Sequence, residues 1–197
     1  MINLLSIADV SSAIVENLME LGIFYYIILN AFGVIAIILK VTEFQLKKRY
    51  LAIIFAFSSS ACWTFYFLFQ GDFVSAIINL VGVVQGIIFL QRGKRKWADS
   101  KFWLFFFLVL QVTLGIVFFK EWHDIFPIFG GVFNVICYFV ISRKVYRICG
   151  FTCLVFWVMN GLFKFYPIAL INDIFGSTSA FVGIIRYDIL KKSKKQV

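Results

Sequence analysis

The chain has 197 residues, of which 62% are hydrophobic, 20% aromatic and only 15% charged, with a formal net charge of +9. A soluble domain carries roughly 45–50% apolar and about 25% charged residues, so water on every side is excluded and a lipid bilayer is required. Two Pro and 13 Gly exclude a disordered chain, and positive residues scattered between apolar runs exclude a basic nucleic-acid-binding face.

Residues 1–20 contain no Lys or Arg and so lack the positive start of a signal peptide. Ile2, Leu4, Leu5, Val10, Ile14 and Val15 alternate there with Asp9, Glu16 and Glu20. The segment reads as extracytoplasmic, either a short helix on the outer interface or an extension of the first span. A spanning helix needs about 20 residues, and seven such runs follow, at 21–39, 51–69, 73–91, 102–119, 125–141, 146–163 and 167–185. The run Phe-Trp-Leu-Phe-Phe-Phe-Leu-Val-Leu at 102–110 does not alternate, which excludes a β-barrel.

Basic residues orient these spans. One end of the bundle receives Lys40, Lys47, Lys48 and Arg49, then Arg92 through Lys101, then Arg143, Lys144 and Arg147, and finally the tail from Arg186, in all 17 of the 19 Lys and Arg. Lys120 and Lys164 fall at the opposite end, beside Asp72, Glu121 and Asp124. The positive-inside rule puts the C-terminus in the cytoplasm and the N-terminus outside, which demands an odd number of spans. Attraction of the basic tail to anionic lipid comes second. The four Cys lie dispersed in apolar runs and read as small packing groups rather than a disulfide or metal framework. His123 is the one histidine, so no metal site or His-based triad is expected, no cofactor and no enzyme.

Displacing the chain on itself by 94 residues aligns 49–92 with 143–186, and nine of the 44 pairs are identical. Trp63 falls on Trp157, Gly82 on Gly176, Arg49 on Arg143 and Arg92 on Arg186. The organisation read from this is a three-helix repeat at 21–91, a basic loop at 92–101, a linker helix at 102–120, a second repeat at 121–186 and a basic tail at 187–197. Four spans separate equivalent helices, so both units enter the membrane in the same sense, as parallel repeats. The expected fold class is an all-α membrane protein with seven transmembrane helices in a 3+1+3 arrangement and a site between the units.

Gly-Val-Ile-Ala at 33–36, the Gln45/Lys47/Lys48 loop, Ser-Ala-Ile at 75–77 with Asn79, and Trp97 resemble one family. Phe-Pro-Ile-Phe-Gly at 126–130, Trp157 and Ile-Ile-Arg at 184–186 extend the likeness over nearly the whole chain after residue 20. The chain resembles the YgjV family of bacterial inner-membrane proteins. That resemblance implies a SWEET-like fold, because the family is grouped with SWEET, PQ-loop and PnuC-type transporters, and it supplies no substrate. The Pro-Gln pair of the PQ-loop group is missing, since Pro127 is followed by Ile128.

Polar side chains inside spans are costly and therefore mark candidate sites. Asp173 reads as the one acid well inside a span, about 9 Å below the outer edge at 1.5 Å per residue, and Asn79 as about 10 Å down. The repeat pairs them. Asp173 is a cation or proton site or a carboxyl bonded to a neighbouring helix, and Asn79 a solute ligand or an interhelical contact. Asn172 points roughly 100° from Asp173, so one of the two is expected in the cavity. Trp63 and Trp157 are aromatic walls or members of the outer belt. Gln85 is a further pathway residue or a core hydrogen-bonder. Asn160 reads as a solvated rim residue. Gly33, Gly82 and Gly176 let helices approach closely, and Pro127 kinks the fifth span or occupies its first turn.

The leading expectation is a transporter, uniporter or proton-coupled, for an unidentified small solute, with a neutral or cationic solute suiting Asp173. The alternative is a receptor or assembly protein of the same fold, with a tightly packed seam and no cavity. The partners expected are the lipid bilayer and the solute; nucleic acid is not expected, and a homo-oligomer is compatible with the sequence.

Overall fold

The computed structural model describes residues 22–190. The 1–20 segment and the tail from residue 191 lie outside the described residues. Within them every regular element is helical: α1 (Ile23–Gln45), α2 (Arg49–Phe69), α3 (Phe73–Phe89), α4 (Lys101–Val117), α5 (Ile125–Phe139), α6 (Arg143–Lys164) and α7 (Pro167–Ile184). Short turns of tighter helix, Lys96–Asp99 and Trp122–Asp124, lead into α4 and α5, and a wider turn, Ile185–Ile189, prolongs α7.

Helix ends follow local chemistry. The Asp72 carboxylate caps α3 by accepting from the Ser75 backbone N–H at 3.1 Å, and Ser100 caps α4 by accepting from Phe102 at 3.2 Å. Pro167 opens α7 at a position whose N–H has no helical partner. Pro127 is buried in the first turn of α5, where its missing N–H likewise breaks no bond, so it starts that helix rather than kinking it.

α1 runs six residues beyond the expected end at 39. Lys40 had been counted among the loop charges, but it sits inside the helix, paired with buried Glu43 three residues on at 3.0 Å. A charge neutralised within one turn does not stop a helix. Glu43 is a further buried acid, in the last turn of α1.

Neighbours in sequence pack in order, α1 on α2, α2 on α3, α5 on α6 and α6 on α7. Two further contacts, α1 with α7 and α3 with α5, close the six helices into a ring, and α4 lies outside it against α3 and α5. Phe105, Val109 and Ile116 of α4, Ile27 and Ile38 of α1 and Phe175 of α7 turn large apolar side chains outward, a surface suited to lipid rather than water. Among the described residues four segments are long and apolar enough to cross a membrane: Phe24–Gln45, Arg49–Phe69, Arg143–Lys164 and Pro167–Ile189. Phe73–Phe89 and Lys101–Val117 are shorter apolar helices.

Basic residues hold the closed ring at one end. Arg49, opening α2, donates to the carbonyls of Tyr138 (2.8 Å) and Val140 (3.1 Å) at the end of α5. Arg143, opening α6, donates to those of Glu43 (3.2 Å) and Leu46 (2.9 Å) at the end of α1. Arg147 is buried and bonds both oxygens of Asp188 at 3.0 Å, while Arg92 donates to Phe139 and lies over its ring. These arginines, read from sequence as loop charge, donate to carbonyls at helix C-termini and so cap them. At the opposite end Lys164 bridges Asp72 (2.9 Å) and Asp124 (2.7 Å), and Asp124 also accepts from the backbone N–H of Lys120 and Glu121.

Arg49→Leu and Arg143→Leu should each lower unfolding stability by about 2–3 kcal/mol, since each strands two or more carbonyls; denaturant titration in detergent measures it. Burial pushes the Asp124 carboxyl up, but Lys164 and the two backbone donors outweigh it and hold its pKa below the ordinary 3.8. Its stabilisation is therefore complete above that value and is lost as the pH falls through the lower folded value. Asp124→Asn should flatten the fall in melting temperature below about pH 4.

Candidate functional site

The ring encloses a cavity of about 40 Å³, room for about three water molecules. Each of the six ring helices contributes to it. α1 supplies Lys40, α2 Ser60 and Trp63, α3 Asn79, α5 Asn134, α6 Trp157, and α7 Asn172 with Asp173. Five lining pairs lie 94 residues apart: Lys40 with Asn134, Ser60 with Leu154, Trp63 with Trp157, Ile78 with Asn172, and Asn79 with Asp173.

The same spacing relates the packing around two glycines. A Cβ built on Gly82 would lie 3.3 Å from Asn134 and 3.4 Å from Ser60. One on Gly176 would lie 3.1 Å from Lys40 and 3.2 Å from Leu154, the equivalents of those neighbours. At both positions a side chain would intrude on the helix that carries a cavity-lining polar residue. Gly33 packs against Ile168 and Tyr66, where α1 meets α7 and α2.

Polar groups within the cavity are incompletely satisfied. Asn172 donates to Asp173 at 2.8 Å, so both residues reach the cavity, against the expectation that one of them would. The physical reason is that α7 packs between α1 and α6 and the cavity spans more than one of its faces. Asn172 Oδ1 and Trp63 Nε1 have no hydrogen-bond partner, although these residues are only 2% and 4% exposed. Asn79 donates to the Ser75 carbonyl of its own helix at 2.8 Å and keeps its side-chain oxygen for other partners.

Toward the basic end, Lys40 Nζ meets Glu43 Oε2 at 3.0 Å, and Glu43 Oε1 accepts from the Tyr146 hydroxyl at 2.5 Å. This chain ties α1 to α6 beneath the cavity. Toward the other end, Phe67 stacks on Trp157 with centroids 5.8 Å apart and lies 5.7 Å from Tyr166. Trp63 meets Tyr66 edge-on at 4.9 Å. Aromatic rings therefore cap the cavity on one side and an ionic chain on the other.

Gln85 does not line the cavity. It is fully buried and donates to Gln111 of α4 at 3.0 Å, so it fastens the outlying helix to the ring. Asn160, expected at a wet rim, is buried beside Ser75 at 3.4 Å. Lys40, Glu43 and Asn134 were missed as site residues. The Lys40–Glu43 spacing of three was a legible signal of a neutral pair, and Asn134 stands 94 residues from Lys40 in the middle of the fifth apolar run.

Residues 27–191 match the family model Imp-YgjV, described as bacterial inner membrane protein. The chain belongs to that family. No curated protein and no solved structure matches it.

Gln85→Leu alone should lower stability by about 1–3 kcal/mol, because it leaves buried Gln111 without its partner. Replacing both by Leu should recover most of that loss in thermal unfolding, the coupling of a packing pair.

Proposed function

We propose that this bacterial inner-membrane protein carries a small solute across the membrane through the cavity between two parallel three-helix repeats. In this reading α1–α3 and α5–α7 are the repeats, α4 is the linker, all seven helices span, and the basic end faces the cytoplasm with the N-terminus outside. The observation that carries it is the lining of the cavity by five residue pairs 94 apart, Lys40 with Asn134 and Asn79 with Asp173 being polar at both positions. A two-fold relation places equivalent residues of both units on one axis, and a site on that axis is where rocking units alternate access. The reciprocal clamps of Arg49 on the end of α5 and Arg143 on the end of α1 agree with the same relation.

The chemistry of transport follows from the two closures. Phe67, Trp157 and Tyr166 separate the cavity from the outer end, and Lys40, Glu43 and Tyr146 separate it from the cytoplasmic end. Separating the aromatic rings admits solute from outside; breaking the ionic chain releases it inward. Asn79, Asn134 and Asn172 supply hydrogen bonds in place of the solute's water shell, and Trp63 and Trp157 supply flat walls. Transport is either facilitated diffusion or coupled to protons through Asp173.

Cys153 lines the cavity and reports on access. With Cys62, Cys137 and Cys149 changed to Ala, a membrane-impermeant thiosulfonate should label Cys153 in vesicles of both orientations. Labelling from one side only would favour a receptor, and labelling from neither would refute a pathway.

A further inference from the structure

The cavity holds two formally charged side chains, Lys40 and Asp173, and they are unequally served. Lys40 has its counter-ion in Glu43, whose other oxygen is held by Tyr146. Asp173 is 5% exposed and receives the Asn172 amide on one oxygen; among the described residues it has no cation within 4 Å. With Lys40 paired to Glu43, Asp173 is the acidic side chain of the cavity lining left without a partner of opposite charge.

We propose that the cavity is a binding site for a small organic monocation, a protonated amine bearing a hydroxyl or similar polar group, and that Lys40 competes with it for Asp173. This rests on the transport reading of the same cavity. A carboxylate enclosed in a bilayer-embedded site gains most from an opposite charge. Trp63, Trp157 and Phe67 line the same cavity, and their π-systems suit a cation better than an anion. Trp63 Nε1 and Asn172 Oδ1, both buried and without partners, offer one donor and one acceptor to a hydroxyl. An anion would have to draw Lys40 from Glu43 and then sit against Asp173.

The competition follows from the route of the Lys40 side chain. Its Cγ passes Gly176, where an added Cβ would lie 3.1 Å away. Gly176 stands one turn inward of Asp173 on α7. The ammonium on its four-carbon stem is thus tethered between two carboxylates, Glu43 toward the cytoplasmic end and Asp173 toward the centre. A guest cation on Asp173 leaves Lys40 to Glu43 and so keeps the inner chain to Tyr146 closed. Lys40 on Asp173 excludes the guest and frees Glu43. Binding and inner closure are thereby linked through one side chain.

Three probes of nearly equal size separate the charge classes: ethanolamine, ethylene glycol and glycolate. On the full chain with Cys153 as its single cysteine, ethanolamine should slow thiosulfonate labelling and raise the melting temperature, and the other two should do neither. Asp173→Asn should abolish the ethanolamine effect while Cys153 is still labelled. Lys40→Met should lower the half-protecting ethanolamine concentration at least about fivefold, and Glu43→Gln, which releases Lys40, should raise it by a similar factor. The opposite signs keep the test decisive if either variant fails to fold. Equal protection by glycol or glycolate, protection surviving Asp173→Asn, or weaker binding in Lys40→Met would overturn the proposal. Labelling from both sides without ethanolamine protection sinks the monocation alone; no labelling at all sinks the pathway beneath it.

Discussion

Hydrocarbon offers no hydrogen bonds, so every polar group carried into it must find a partner within the protein. The architecture is a set of answers to that demand. Helices satisfy their own interiors, and their ends require help from outside. Arg49 and Arg143 supply it across the bundle, each from the start of one helix to the end of another. Because one clamp joins α2 to α5 and the other α6 to α1, the same bonds that satisfy helix ends also hold the ring closed.

The same demand makes the cavity informative. Several buried polar side chains are spoken for: Asp72 by Lys164 and Ser75, Ser59 by the Ala36 carbonyl, and the Gln85 amide N–H by Gln111. Around the cavity the accounting is incomplete, with Trp63 Nε1 and Asn172 Oδ1 lacking partners and Asp173 lacking a counter-ion. Buried groups left in that condition cost stability. Unpartnered buried atoms occur elsewhere in the bundle too, Gln85 Oε1 and the Tyr138 hydroxyl among them. At the cavity they stand beside an acid without a counter-ion, in a space lined by all six ring helices, and that combination suits a guest. The glycines at 82 and 176 keep the polar residues of the adjoining helices at that point, and aromatic rings and the Glu43–Tyr146 link shut it at its two ends.

Charge was the least reliable guide to position. Counting Lys and Arg by end of the bundle placed Lys40 with the loops, although it lies inside α1 beside Glu43. A count takes no notice of pairing, and pairing is what permits a charge to enter a span. Asn172 was set apart from Asp173 by the angle between successive helical residues, a sound rule for a flat interface and a poor one for a helix wrapped by neighbours. Gln85 was readable as polar and membrane-embedded; that its partner stands on α4 depended on which helix packs outside the ring.

Hydrophobic runs bounded by charge and turn residues determined by themselves that the chain is helical and where most helices begin and end, since helix length and lipid burial are local properties. The 94-residue displacement likewise marked Asn79 with Asp173 and Trp63 with Trp157, because a repeat is written in order and spacing. Which side chains meet was decided by the closing of the ring. That step brings Lys40 and Asp173 into one cavity wall and Tyr146 onto Glu43, brings Asn134 in from α5, and takes Gln85 away, because distance between helices is settled by how small and large residues pack across them and not by their separation along the chain.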